Sequence, residues 1–547
     1  MLLLLPLLFA CKSDPAAKPG GDELLEDSAA PDGVTPRGDV PQVDAPEPVL
    51  KRLTTTQYAH AVRDLFGEEV IVSASLEPDQ RVEGLFAVGA ARTSISSYGV
   101  EKFESAAYSV AGQVMDNPLL RDAIVTCVDG VAADDACARD TLDALGLRAW
   151  RRPLDAAELD QLVDISALAT ERLGTFDAGL TFGIASLLIS PHFLYRVELG
   201  DRSDTGRYDG FELASRLSFF LWDTIPDDAL LDAAANGDLD TDDGLAEQVD
   251  RMLDDPRALD GVRALYADML HLDALDDLSK DPTVFTYMRD TLGASAREET
   301  LLGIEALVFE DDGSYLDLYS GQRAFLNREL AALYDVPAPA REGFGEAWLE
   351  PDGGRRGFFG QASFLAPNAH VVSTSATKRG IFVREVVLCQ EIPDPPANAN
   401  TAIPEVDADA RTMRERLAVH LEVEECASCH RLTDPIGLGF ENFDGTGRWR
   451  LSENGATIDA SGELDGVSFS DAWALGGTIA AHPETPGCMV RTAIQSATGN
   501  LVDELSVDLV DWHTLGFTNG GNRVLWMLRD VALSPAFTQV SAVEVAR

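Results

Sequence analysis

The sequence predicts a mainly α, multi-domain fold, and three observations predict it. Apolar residues recur at helical spacing through most of the chain, capping residues stand where those runs begin, and strand-like alternation is confined to one stretch. A chain of 547 residues is too long for a single core and is expected to divide into about three or four domains. Folded sequence starts near Leu53. Thr54-Thr55-Thr56 precedes a run that stops at Gly67, with Tyr58, Val62, Leu65 and Phe66 on one face, so a capped amphipathic helix is expected there. Further helices are expected at 141–151, 156–173, 177–189, 209–222, 244–254, 258–272, 295–309 and 322–334. The segment 456–469 alternates around turn residues and predicts a short β-hairpin. No fixed-period repeat is present.

Composition breaks place the boundaries. Pro191 to Gly210 and Pro337 to Gly354 separate helical parts, and Ile392 to Pro404 is a Pro-, Ala- and Asn-rich linker. The predicted organisation is a leader at 1–11, a disordered tether at 12–48, N-terminal helical domains at 51–198 and a central helical domain at 208–336. A domain at 353–470 and a C-terminal helical domain at 471–547 complete it. The tether is predicted from its Pro, Gly, Ala and Asp content, which buries too little surface to offset chain entropy.

Forty-three Lys and Arg stand against 92 Asp and Glu, a formal net charge of -49. Such a surface repels a phosphate backbone, so no nucleic-acid partner is expected. The apolar run from Met1 to Ala10 is too short for a mature membrane span and ends at Cys11. Leu8-Phe9-Ala10-Cys11 resembles a bacterial lipobox, in which the Cys is acylated. No basic residue precedes the run, and Phe9 is bulky for its place. A cleaved signal with an incidental Cys is the alternative; either way the chain is expected in the bacterial cell envelope, periplasmic or on the outer membrane. Membrane contact is expected only through a lipid on Cys11.

Seven cysteines occur. Setting aside Cys11 and the pair in Cys426-Ala427-Ser428-Cys429-His430 leaves four, which in an oxidising compartment suggests disulfides Cys127–Cys137 and Cys389–Cys488; free buried thiols are the alternative. Cys-x-x-Cys-His is the attachment motif for one covalent haem c. Two thiols three residues apart add to the vinyl groups at one porphyrin edge, and the adjacent imidazole, His430, ligates iron. The fold expected around it is a small cytochrome c-like segment. A zinc site needs four ligands, and no second Cys-x-x-Cys or His-x-x-x-His exists. A dithiol redox pair belongs in a βαβ context that is absent. Arg411 to Glu424 is expected as an incoming helix, and the Pro435 to Phe440 side chains as packing for the porphyrin. A backbone carbonyl near Pro435 is expected to accept the His430 Nδ1 proton, and Arg448 and Arg450 are candidates for the propionates. Met489, His420, Met413, His482 and Met527 are open candidates for the sixth iron position, alongside a vacant or water-bound one. His192 reads as a packed structural histidine. No GxSxG, HExxH, Walker or GxGxxG pattern stands in a suitable context.

These segments together resemble the large exported cytochromes best known from planctomycetes and myxobacteria, built from serial domains of unknown function. The marks run from Leu53-Thr54-Thr55-Thr56-Gln57-Tyr58 and Arg151-Arg152-Pro153-Leu154 through Ser190-Pro191-His192-Phe193-Leu194-Tyr195-Arg196 and Glu212 to Trp222. They continue with Arg356 to Ala362, Lys378-Arg379-Gly380 and Cys426 to Arg450, including Asp434-Pro435-Ile436-Gly437 and Glu441-Asn442-Phe443-Asp444. The resemblance implies a haem c site at Cys426, Cys429 and His430 but no particular reaction. Many members carry a further N-terminal cytochrome domain, whereas the single motif here leaves one haem. Three roles are therefore open: electron transfer, with a basic redox partner protein steered in by the acidic field, an enzyme with a substrate site in the region 200–390, and a binding or assembly module with a structural haem.

Overall fold

The computed structural model describes residues 36–42, 49–73, 75–125, 127, 135–200, 206–350, 353–393, 406, 410–422, 424–501 and 506–541. The lipobox-like segment, the expected tether apart from 36–42, and the expected linker from 394 onward lie outside the described residues. The fold is mainly α. Helices dominate, and the strands make only four two-stranded antiparallel pairs among the described residues.

The first helix, Thr55–Phe66, begins where its cap predicts. Thr54 Oγ1 accepts from the Gln57 N–H at 3.2 Å, and the Gln57 side chain accepts from the Thr54 N–H at 3.3 Å. That reciprocal pair satisfies two donors the helix leaves open. Tyr58, Val62, Leu65 and Phe66 are buried, and the Tyr58 ring packs edge-on to Phe103 and Phe193 at 5.2 and 5.5 Å. Helices Ser97–Asp116, Asp135–Ala149, Ala156–Leu173 and Phe176–Ile189 complete this first core. Phe176–Ile189 carries apolar side chains on nearly every side, which suits a helix in the middle of a core.

A second core draws on residues from Tyr208 to Val540. Its centre is an aromatic cluster in which Phe364 meets Phe359, Phe382 and Phe440 at 5.0, 5.3 and 5.0 Å. The expected helix at 322–334 is in fact a strand, Arg323–Leu326, followed by helix Arg328–Tyr334. Asn327 divides them, its side chain capping the helix at the Leu330 N–H (2.9 Å) while the strand pairs with Gly345–Trp348. The predicted hairpin at 456–469 resolves into two: Ser452–Glu453 with Ala456–Thr457, and Gly462–Leu464 with Val467–Phe469. Both turn on a residue pair with positive φ, Asn454-Gly455 (48° and 76°) and Asp465-Gly466 (47° and 86°), which matches the twist of the strands they join.

Strand Val49–Arg52 pairs with Tyr195–Glu198 and brings charge inside. Glu198 is fully buried, bonded to Arg216, 3.2 Å from Lys51 Nζ and 3.5 Å from Arg196 Nε. Arg216 Nε in turn donates to the Phe537 carbonyl at 2.9 Å, tying this cluster to the end of the chain. Both expected disulfides form: Cys127–Cys137 and Cys389–Cys488, with Cα atoms 5.7 and 5.3 Å apart. No helix among the described residues is long and apolar enough to cross a membrane.

Candidate functional site

Helix Glu424–Gly437 carries Cys426, Cys429 and His430. Positions i, i+3 and i+4 share one helix face, so the three side chains neighbour one another. With the other cysteines of the described residues paired, Cys426 and Cys429 are left as free thiols, both half-buried. Cys429 Sγ lies 3.2 Å from the Pro393 carbonyl oxygen. Four residues beyond His430 on the same helix, Asp434 Oδ2 lies 2.7 Å from His430 Nδ1. The acceptor is therefore a carboxylate and not the backbone carbonyl expected from sequence. The reason is geometric: helix carbonyls are occupied by i→i−4 bonds, and the i+4 side chain reaches over the ring. No protein group of the described residues is bonded to His430 Nε2.

The helix is clamped by an earlier one. Helix Ala376–Phe382 crosses it so closely that a Cβ on Gly380 would lie 2.0 Å from the Thr433 oxygen, and one on Gly437 1.7 Å from the Ala376 oxygen. Arg379, fully buried, donates to the carbonyls of Phe440, Phe443, Asp444 and Leu365. Burial pushes its guanidinium down to about 10, opposed by Glu441. Arg384 Nε reaches the Leu432 carbonyl at 3.0 Å and its Nη1 reaches Asp465 at 2.8 Å.

Several expected contacts are made elsewhere. Ile436 and Phe440 are buried in the second core and Leu438 against Ala376, Met413 and Leu417, so these side chains face protein and not an open haem pocket. Arg450 is bonded to the buried Glu441 at 2.8 Å, and Arg448 lies over the Tyr287 ring at 4.0 Å. The incoming helix is broken into a short turn of α-helix, Met413–Leu417, and a 3-10 turn, Ala418–Leu421. Among the sixth-ligand candidates, Met489 and Met527 are packed in the second core, and Met413 in its own apolar cluster. His482 Nε2 lies 3.0 Å from Asp465, and its Nδ1 accepts from the Glu484 N–H. His420 alone comes to the site, its ring edge-on to His430 with centroids 4.6 Å apart.

The region 200–390 contributes Phe219 and Asp223, among others, to a cleft of about 450 Å³ that is also lined by Gln57, Asp79 and Phe86 from the N-terminal part. A smaller pocket of about 210 Å³ is lined by Trp150, Arg151, Arg152, His192, Glu212 and Ser215. His192 packs on Trp150 at 4.8 Å and bonds to Arg152 at 3.3 Å, as a structural histidine does.

Four family models match the chain in series. They are PSD3 at 51–116, PSD5 at 137–198, PSD4 at 208–336 and PSCyt3 at 355–453, each described as a protein of unknown function. The four matches follow one another from 51 to 453 without overlap. Cys426, Cys429 and His430 all fall within the PSCyt3 match. No curated protein and no solved structure matches the chain.

Proposed function

We propose that this serial-domain protein is an exported mono-haem c-type cytochrome, acting in electron transfer or as the redox part of an oxidoreductase in the bacterial cell envelope. One observation carries the reading: the two free thiols of the described residues stand one helical turn apart beside an imidazole whose Nε2 has no protein partner there. This donor set fits a covalently held haem. The name of the PSCyt3 match points the same way. The two disulfides agree with an oxidising compartment.

Cys426 and Cys429 would hold the porphyrin edge and His430 the iron, and the haem would supply a one-electron couple. The protein's own part is to fix the His430 ring through Asp434 and to anchor the helix through Arg379 and Arg384. His420, whose ring lies 4.6 Å from that of His430, would be the nearest candidate for a second iron ligand. The net charge of -49 favours a basic redox partner and disfavours nucleic acid, and a lipid on Cys11 would be the contact with the membrane.

The test is expression with the cytochrome c maturation machinery. Cys426→Ser with Cys429→Ser should abolish covalent haem, while His430→Ala should alter the spectrum of whatever haem is still attached. Covalent haem surviving the double substitution would refute the assignment. The cleft of about 450 Å³ favours a second reading, an enzyme whose substrate lies between the two cores. Substitution of Phe219 or Asp223 would then abolish turnover and leave the haem spectrum unchanged.

A further inference from the structure

We propose that Asp434 is a positioning residue that strengthens His430 as an electron donor to iron and so holds the couple on the ferric side. The proposal rests on the haem reading above and adds a control on redox potential that the motif itself does not contain.

Pairing of a histidine with an aspartate is not informative alone in so acidic a chain, since His60, His482 and His513 also meet one. The His430–Asp434 pair differs in where it lies and how it is held. It sits on the same helix as both thiols, and the Asp434 side chain is only 3% exposed. Its two oxygens have separate tasks. Oδ2 takes the imidazole at 2.7 Å, while Oδ1 accepts from Thr377 Oγ1 at 2.8 Å, with Thr433 Oγ1 at 3.4 Å. Thr377 belongs to helix Ala376–Phe382, whose glycine-to-backbone crossing leaves the pair little room to shift.

A carboxylate is a stronger acceptor than a backbone carbonyl, and the bond is stronger still away from water. It draws the Nδ1 proton toward Oδ2, which leaves more electron density on Nε2 and makes it a better donor to a metal. A more electron-rich axial ligand stabilises ferric over ferrous iron and lowers the potential. Thr377 moderates the effect, because the hydrogen bond it donates takes up part of the carboxylate's charge. A purely structural pair would leave the potential alone.

The experiment is the midpoint potential of the full-length, haem-loaded protein. Asp434→Asn keeps the shape and removes the charge, and should shift the ferric/ferrous balance at least tenfold toward ferrous, 59 mV upward for a one-electron couple. Thr377→Val should move the potential the opposite way by a smaller amount, and it decides the matter if Asp434→Asn does not fold. Covalent haem with an unchanged potential in both variants would overturn the role of Asp434 alone. A wild-type chain that takes up no haem under full maturation would overturn it together with the reading beneath it.

Discussion

Glu299 is fully buried in the second core, its Oε2 accepting from the Tyr334 hydroxyl at 2.6 Å and its Oε1 without a hydrogen bond. Burial pushes its carboxyl up to about 8, the Tyr334 bond and Arg355 opposing. In the unfolded chain the same group loses its proton near the ordinary value of about 4.3. Between about pH 4 and 8 the folded state therefore binds a proton that the unfolded state has released, and stability falls as pH rises, by up to about 1.4 kcal/mol per unit. Glu299→Gln should flatten this loss; urea midpoints measured across that window check it, and parallel slopes for both proteins would contradict it. Glu198 behaves in the opposite sense. Burial alone would raise its carboxyl, but Arg216, Lys51 and Arg196 outweigh that and hold it at about 2. Glu198→Gln leaves three buried cations facing one another and should cost about 3–5 kcal/mol in urea unfolding. At this scale the sequence showed the thiols and His430, because the motif is a matter of spacing. It singled out Asp434 only within the segment Asp434 to Gly437 and gave it no role, because a carboxylate four residues from a histidine is unremarkable among 92 acidic residues until the helix places it over the ring.

The helices with their own caps and periodicity were legible in the sequence: Thr55–Phe66 and Ala156–Leu173 stand where their caps predict. Pairings between distant segments were not. Val49–Arg52 reads as a strand only beside Tyr195–Glu198, and Arg323–Leu326 was hidden by the helical spacing that runs on through 334. The crossing of Ala376–Phe382 with the thiol-bearing helix is equally invisible, since Gly380 and Gly437 announce nothing until their neighbour's backbone lies against them. Gly437→Ala has no side chain to displace, only the Ala376 carbonyl, so overpacking of about 1–3 kcal/mol is expected, with a lowered melting temperature as the readout. The disulfides are separable by loop length. Cys389–Cys488 spans 99 residues and Cys127–Cys137 spans 10. Cross-linking so long a loop is worth about 4.7 kcal/mol on the chain-entropy account. Replacing Cys389 and Cys488 with Ser should thus destabilise more than replacing Cys127 and Cys137, and equal losses by urea titration would contradict it.

Across the whole molecule, the described residues from 39 onward form one compact unit with two cores, and the buried charges around Glu198 tie the strand that opens the first core to Phe537 near the end of the second. Composition breaks in the sequence mark loops, but they do not show that Tyr208 and Val540 share a core, because that core is assembled from segments far apart in the chain. The charge of -49 predicts that association with a basic redox partner weakens steeply as ionic strength rises, a dependence binding titrations in increasing salt would measure. Cys426, Cys429 and His430 are proposed to hold a haem. A pyridine haemochrome spectrum of protein expressed with the maturation machinery, scaled to protein concentration, tests it most directly. One covalent haem per chain is the predicted result; a colourless protein with Cys426 and Cys429 free or bonded to each other would contradict it.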